Sequence, residues 1–328
     1  MTPTTRFARA SLAIFWIVSS PTACDASPDH RGSISSTGTQ PADRGARTAT
    51  GDLTGTNAAK PPKPSPLETL EPKNSALPGS FMGTTGTGQP FVVTVATKGN
   101  PRPYRRPLAF YRLALALDYD QAPVTELRRL GTGEVSRLLG SHPVARQILT
   151  SRARVTNDGT IAALLVGHVP GVDANLADNQ RLARCAKLAA SSDPLPQTDA
   201  TYVGDYVRLL VLDYLAANVE RRSLRVDEQA HRVRAVDNST AFPGYVAPEA
   251  LDIPLGRLEP VVRFPRDLKT TLQRLDRKAF KEQLVRGRFE DLLIGPRQLA
   301  GLVERRATLL SLLESRLLQY GDKVVLSL

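Results

Sequence analysis

The sequence predicts an α+β domain of two unequal lobes, strand-rich first and helical later, behind an N-terminal stretch without a globular pattern. Three observations lead there. Short β-branched runs bounded by Gly and Pro crowd residues 79–170, apolar-striped helical runs fill 171–328, and one small hairpin interrupts the helical part.

Residues 1–24 read as a secretory signal. Arg6 and Arg9 give a basic start, Leu12 to Val18 an apolar core, and small residues lead to Cys24. That core is too short for a membrane span, which takes about 20 apolar residues. Ala23-Cys24 resembles the end of a bacterial lipobox, although Pro21 departs from it. The resemblance implies lipidation of Cys24 and an envelope protein anchored to a membrane, facing away from the cytoplasm; plain cleavage near Ala23 is the other reading. Residues 25–78 are Pro, Ser, Thr, Gly and Ala with scattered charge, a composition that buries too little apolar surface to order itself. They are expected to form a disordered tether, extended at Pro61 to Pro66.

The folded domain is expected over 79–328. A hairpin at Gly79 to Lys98 ends in the β-branched strand FVVTVATK, and a helix follows at Leu108 to Leu117. Val124 to Leu130 reads as a strand, Gly133 to Leu139 as a short helix and Thr160 to Val169 as an apolar strand. Helices are expected at Gln180 to Ala190 and Tyr202 to Ala217, the second apolar nearly all round and hence buried. Two short strands follow at Leu224 to Val226 and Val233 to Val236. Two striped helices close the chain, the last carrying Leu299, Val303, Ala307, Leu310, Leu313 and Leu317.

Several chemistries are excluded. The histidines (His30, His142, His168, His231) are scattered without a second ligand at zinc spacing. GxSxG and HExxH are absent. Gly83 to Gly88 (GTTGTG) has phosphate-loop spacing, but Gln89-Pro90 replaces Lys-Ser/Thr and a strand follows, so a hairpin turn is expected. Cys185, on a helical run, reads as a small core residue. The formal charge is +11, and Arg263 to Arg306 holds twelve Lys/Arg against six Asp/Glu. Such a surface suits an anionic lipid or protein partner, or is a solvated helix face. With few aromatics to stack bases, nucleic acid is the weakest option.

The informative stretch is Val211 to Pro243. A buried helix ends in the polar turn Asn218-Val219-Glu220-Arg221, a hairpin follows, and Asp237-Asn238 caps an apolar strand. Phosphoryl-transfer sites are built this way: one loop carboxylate orients the attacking hydroxyl, and a second holds the magnesium that bridges the phosphates. VLDYLAANVER with AVDNSTAFP resembles the catalytic core of type II phosphatidylinositol 4-kinases. It is equally similar to the secretory-pathway kinases that include four-jointed and the Golgi casein kinase. LAFYRLALAL with Ala122-Pro123-Val124 resembles the same families' upstream helix.

The resemblance implies a two-lobed protein-kinase-like fold, with an N-lobe at about 79–170 and a C-lobe at 171–328. It implies Lys98 as the ATP-binding lysine, Asp237 as the Mg2+ ligand and Glu220 at the catalytic position, where the family has Asp. The departures are Glu for Asp at 220, Leu224 and Arg225 where a second metal ligand belongs, Pro107 where a helix glutamate pairs with the lysine, and Ser239 for Gly. Lys98 has a plain surface reading. Asp237-Asn238 taken alone reads as a turn start, a reading that the neighbouring loop and Ala241-Phe242-Pro243 reverse, and Glu220 could equally form a salt bridge with Arg221 or Arg222. Three functions stand: a pseudokinase that binds nucleotide, an active atypical phosphotransferase on an extracytoplasmic protein, lipid or small-molecule hydroxyl, and a non-enzymatic envelope adaptor.

Overall fold

The structure is a computed structural model, described for residues 66–73, 79–221, 223–285 and 292–328. The signal, Cys24 and most of the tether lie outside the described residues.

Among the described residues, eight strands and ten helices run in the expected order, strands early and helices late. The small lobe is a five-stranded antiparallel sheet in the order β1-β2-β3-β5-β4. Its strands are β1 (Leu67–Pro72), β2 (Ser80–Thr85), β3 (Pro90–Val95), β4 (Thr125–Gly131) and β5 (Thr160–Gly167). Helix α1 (Arg105–Ala116) joins β3 to β4. α2 (Thr132–Leu138) and α3 (Pro143–Arg152) join β4 to β5.

Strand alternation divides the sheet between two cores. Phe91, Val93, Val95, Leu130, Ile161 and Leu165 face α2 and α3. Leu127 and Leu164 face the other way, toward α1 and the larger core. The GTTGTG stretch runs along β2 and into the β2–β3 turn, where Gly88 takes φ +73° and its amide donates to the Thr85 carbonyl. The glycines serve a hairpin, as expected.

Two departures concern the first lobe. β1 falls inside the stretch expected to be tether, and its Leu67 and Leu70 are buried. A bulge between Leu67 and Thr69 brings leucines three residues apart onto one face. Read without the bulge, that spacing is not a strand pattern. Second, α1 begins at Arg105, so Pro107 lies in its first turn and does not break it. The amide that proline lacks is unsatisfied there in any helix.

The large lobe opens with β6 (Val172–Ala174) and α4 (Gln180–Ala189), then the long α5 (Gln197–Leu215). β7 (Leu224–Asp227) and β8 (Arg232–Ala235) follow, with β6 completing a sheet in the order β6-β7-β8. α6 (Pro248–Leu258), α7 (Leu268–Arg274), α8 (Arg277–Phe280), α9 (Pro296–Tyr320) and α10 (Asp322–Val325) complete it. α5 is the axis of this lobe, buried from Leu209 to Leu215 without interruption. Among the described residues, no helix is long and apolar enough to cross a membrane.

Candidate functional site

The site is assembled where α5 ends. Ala216 caps the helix and Ala217 reverses the chain with φ +50°, a left-handed conformation usually left to glycine. Asn218 is thereby turned fully inward, Glu220 outward and Arg221 inward again.

Asp213, one turn back on α5 and 1 % exposed, organises the interior. It accepts hydrogen bonds from Asn218 Nδ2 (2.9 Å), Arg221 Nε (2.9 Å) and Arg221 Nη2 (2.6 Å). The Arg221 guanidinium also donates to the Val236 carbonyl (2.6 Å) and Asn238 Oδ1 (2.9 Å), and its carbon lies 5.2 Å from the Phe110 ring centre. One buried cation thus joins α5, the 218–221 loop, the Asp237 loop and α1. Thr240 Oγ1 donates to Asn218 Oδ1 (2.6 Å), and the Phe242 amide donates to the Ala216 carbonyl (2.7 Å). These bonds clamp the two loops side by side.

Asp237 stands on that clamp. Its backbone is left-handed (φ +51°, ψ +68°), its side chain is exposed, and its carboxylate accepts from Ser239 Oγ at 2.7 Å. Ser239, where the family pattern has Gly, is accommodated without positive φ and contributes that hydroxyl. A 3-10 turn at Asn238–Thr240 follows. Phe242 again takes positive φ (+49°), and Gln298 of α9 holds its carbonyl. Among the described residues, three of the five non-glycine residues with positive φ (Ala217, Asp237 and Phe242) therefore belong to these two loops. Strain of this kind concentrates at functional sites.

The structure leaves Glu220 and Asp237 exposed on the two loops that the Arg221 clamp joins. Arg221, one of two arginines expected to pair with Glu220, is directed to Asp213; Arg222 lies outside the described residues. Lys98 sits past the end of β3, exposed, with its amide donating to the Arg152 carbonyl (2.8 Å). Among the described residues, no hydrogen bond or ion pair joins it to Asp237 or to α1. α1 itself has no acidic residue between Arg105 and Ala116. Leu224 is fully buried. Arg225 spans the strand pair to Asp173 Oδ1 (2.9 Å) and reaches His168 Nε2 (2.9 Å) and the Val169 carbonyl (2.5 Å), in the segment joining the lobes. Among the described residues, no three His, Cys, Asp or Glu side chains gather as a metal site.

Fit to a magnesium–nucleotide pair follows from these atoms. Mg2+ takes six oxygens, commonly one or two carboxylates completed by phosphates and water. Asp237, exposed and with one hydroxyl partner, would supply one such carboxylate; positions 224 and 225 would supply none. The residues fit a single metal shared with phosphates.

Sequence reasoning singled out Asp237 and did not read the Asp213–Arg221 pair beneath it. The available signal was a lone acid in the apolar run VLDYLAA, since a buried carboxylate demands a partner.

No family profile and no curated protein matches the sequence. Solved structures do. The Golgi casein kinase with Mn/ADP bound is 14 % identical, over 80 % of this chain and 76 % of that one, with a TM-score of 0.56. A second Golgi casein kinase structure is 13 % identical over 81 % and 77 %, TM-score 0.55. Hydra Fam20 with sugar is 13 % identical over 80 % and 88 %, TM-score 0.53. The fold is therefore the two-lobed kinase-like fold. Its structural neighbours include the Golgi casein kinase and Fam20, at 13–14 % sequence identity.

Proposed function

We propose that the chain is an exported, lipid-anchored pseudokinase: a kinase-like domain that binds a magnesium nucleotide weakly and has lost ordinary phosphotransfer. The observation that carries this reading is Arg225. A cation committed to Asp173, His168 and Val169 stands where the phosphotransfer site needs an oxygen ligand. The absence of an acid in α1 supports it, because the lysine that steadies the phosphates loses its customary partner. Glu220 adds a methylene at the catalytic position, and a displacement of about 1 Å can cost a hundredfold in rate.

In this reading Asp237 holds Mg2+ against the nucleotide phosphates and Lys98 faces those phosphates. The metal would neutralise phosphate charge. The Asp213–Arg221 clamp keeps Asp237 in place whether or not a ligand is bound. Residues 25–65 tether the domain to a membrane through Cys24. The retained site then serves recognition of a partner on the envelope.

Two experiments test the reading. Palmitate labelling should mark the wild-type chain and spare Cys24→Ala; an unlabelled, soluble wild type contradicts the anchor. Incubation with labelled ATP, Mg2+ and a panel of protein, lipid and sugar acceptors should give no transfer above Asp237→Ala. Robust transfer abolished by Asp237→Ala and by Glu220→Gln would instead establish the active phosphotransferase.

A further inference from the structure

A second concentration of charge lies on the small lobe. Arg102 from the loop before α1, Arg129 from β4 and Arg154 from the segment before β5 line one cleft of about 200 Å³, with Tyr104, Thr156 and Ala96. Residues far apart in sequence thus bring three arginines to the lining of one cleft, whose volume suits one or two phosphate groups. A shallow depression beside it shares Arg129, Arg154 and Thr156. Asp158 is the one acid among the residues lining either concavity. It pairs with Arg129 at 2.7 Å, both groups half-exposed, so the pair is weak and readily rearranged.

Three like charges around one cleft repel one another, and an anion between them relieves that repulsion. Planar guanidinium forks match phosphate oxygens two at a time, which lysines do not. The location gives such an anion something to do. Tyr104 lines the cleft and caps α1, while Arg106, two residues on, donates to the Ser239 carbonyl (3.5 Å) beside Asp237. α1 has no acid of its own with which to be pinned to the sheet. We propose that this cleft binds a phosphate-class anion, and that the anion fastens the start of α1 to β4 and to the 152–154 segment.

The test uses the full chain in EDTA, with inorganic pyrophosphate as the probe and sodium chloride of equal ionic strength as the reference. The thermal midpoint of the wild type should rise saturably, as it does for a ligand bound by the native state alone. The rise should persist in Asp237→Ala and be lost in Arg129→Gln with Arg154→Gln. Arg129→Lys with Arg154→Lys keeps the charge without the fork, so its half-saturating concentration should move upward; it carries the test if the glutamine pair does not fold. ADP with Mg2+ provides the second arm, and its effect should depend on Asp237. No saturable rise with pyrophosphate, or an undiminished one in the glutamine pair, overturns the proposal. Loss of the pyrophosphate effect in Asp237→Ala also overturns it, since the cleft would then be part of the metal site.

Discussion

Arg221 is the residue on which the geometry of the site turns. Its charge is buried against Asp213, and removing one partner of such a pair typically costs about 3–5 kcal/mol because the other is left buried and unpaired. Asp213→Ala should therefore lower unfolding free energy by that order in a urea titration. Replacing both residues with apolar ones of similar size (Asp213→Leu with Arg221→Met) should recover part of the loss. Full additivity of the two single changes would show that the pair is not coupled. Asp237 should behave oppositely. Its side chain is exposed and its backbone left-handed, so Asp237→Gly should hold or raise apo stability, by about 1 kcal/mol at most. A large destabilisation would make Asp237 a structural turn residue. At this scale the sequence was legible where side chains repeat a recognisable pattern, as at Asp237-Asn238 and Ala241-Phe242-Pro243. It was illegible at Arg221, because an arginine next to Glu220 reads as surface charge until the reversal at Ala217 turns it inward.

Among the elements, α5 shows how a buried helix carries acids. Asp199, Asp205 and Asp213 all face inward, each with an arginine: Arg184, Arg232 and Arg221. The hydrogen bond from Arg184 holds the Asp199 carboxyl below its ordinary range. A carboxyl lowered in the folded state stabilises above its unfolded value, about 3.9, and that contribution disappears as pH falls through the lowered one. Asp199→Asn should accordingly be less stable than wild type at neutral pH, with the gap closing below about pH 4. A gap that persists unchanged into acid would assign the loss to packing. On α4, burial pushes the Cys185 thiol up to about 12. A thiol reagent at neutral pH should leave it unmodified until the domain unfolds. The segment between the lobes is equally constrained: Gly171 has φ +112°, and a Cβ there would lie 2.8 Å from the Val226 carbonyl oxygen. Gly171→Ala should destabilise by about 1–3 kcal/mol. Periodic elements were legible from sequence, including β5, α5 and the β7–β8 hairpin. β1 was hidden by its bulge. α3 and α6 went unread, with few buried side chains between them (Leu149, Pro254 and Leu258) to stripe the sequence.

For the molecule as a whole, lobe order was readable because strands and helices segregate along the chain, and sheet order followed only once the structure paired β3 with β5. α1 joins the larger core while its start lies beside the small sheet. Its Phe110 meets Arg221 and its Arg106 meets the Asp237 loop. The loop that presents the carboxylate is thus braced from both lobes, independently of any catalytic acid. In the proposed function, such a frame would keep a binding site after turnover is lost. The most direct test is isothermal titration of the full chain with ADP in the presence and absence of Mg2+, for wild type and Asp237→Ala. The account requires weak, magnesium-dependent binding to wild type that vanishes in Asp237→Ala while that variant stays folded. Binding that ignores both magnesium and Asp237, or no binding by a folded wild type, would contradict it.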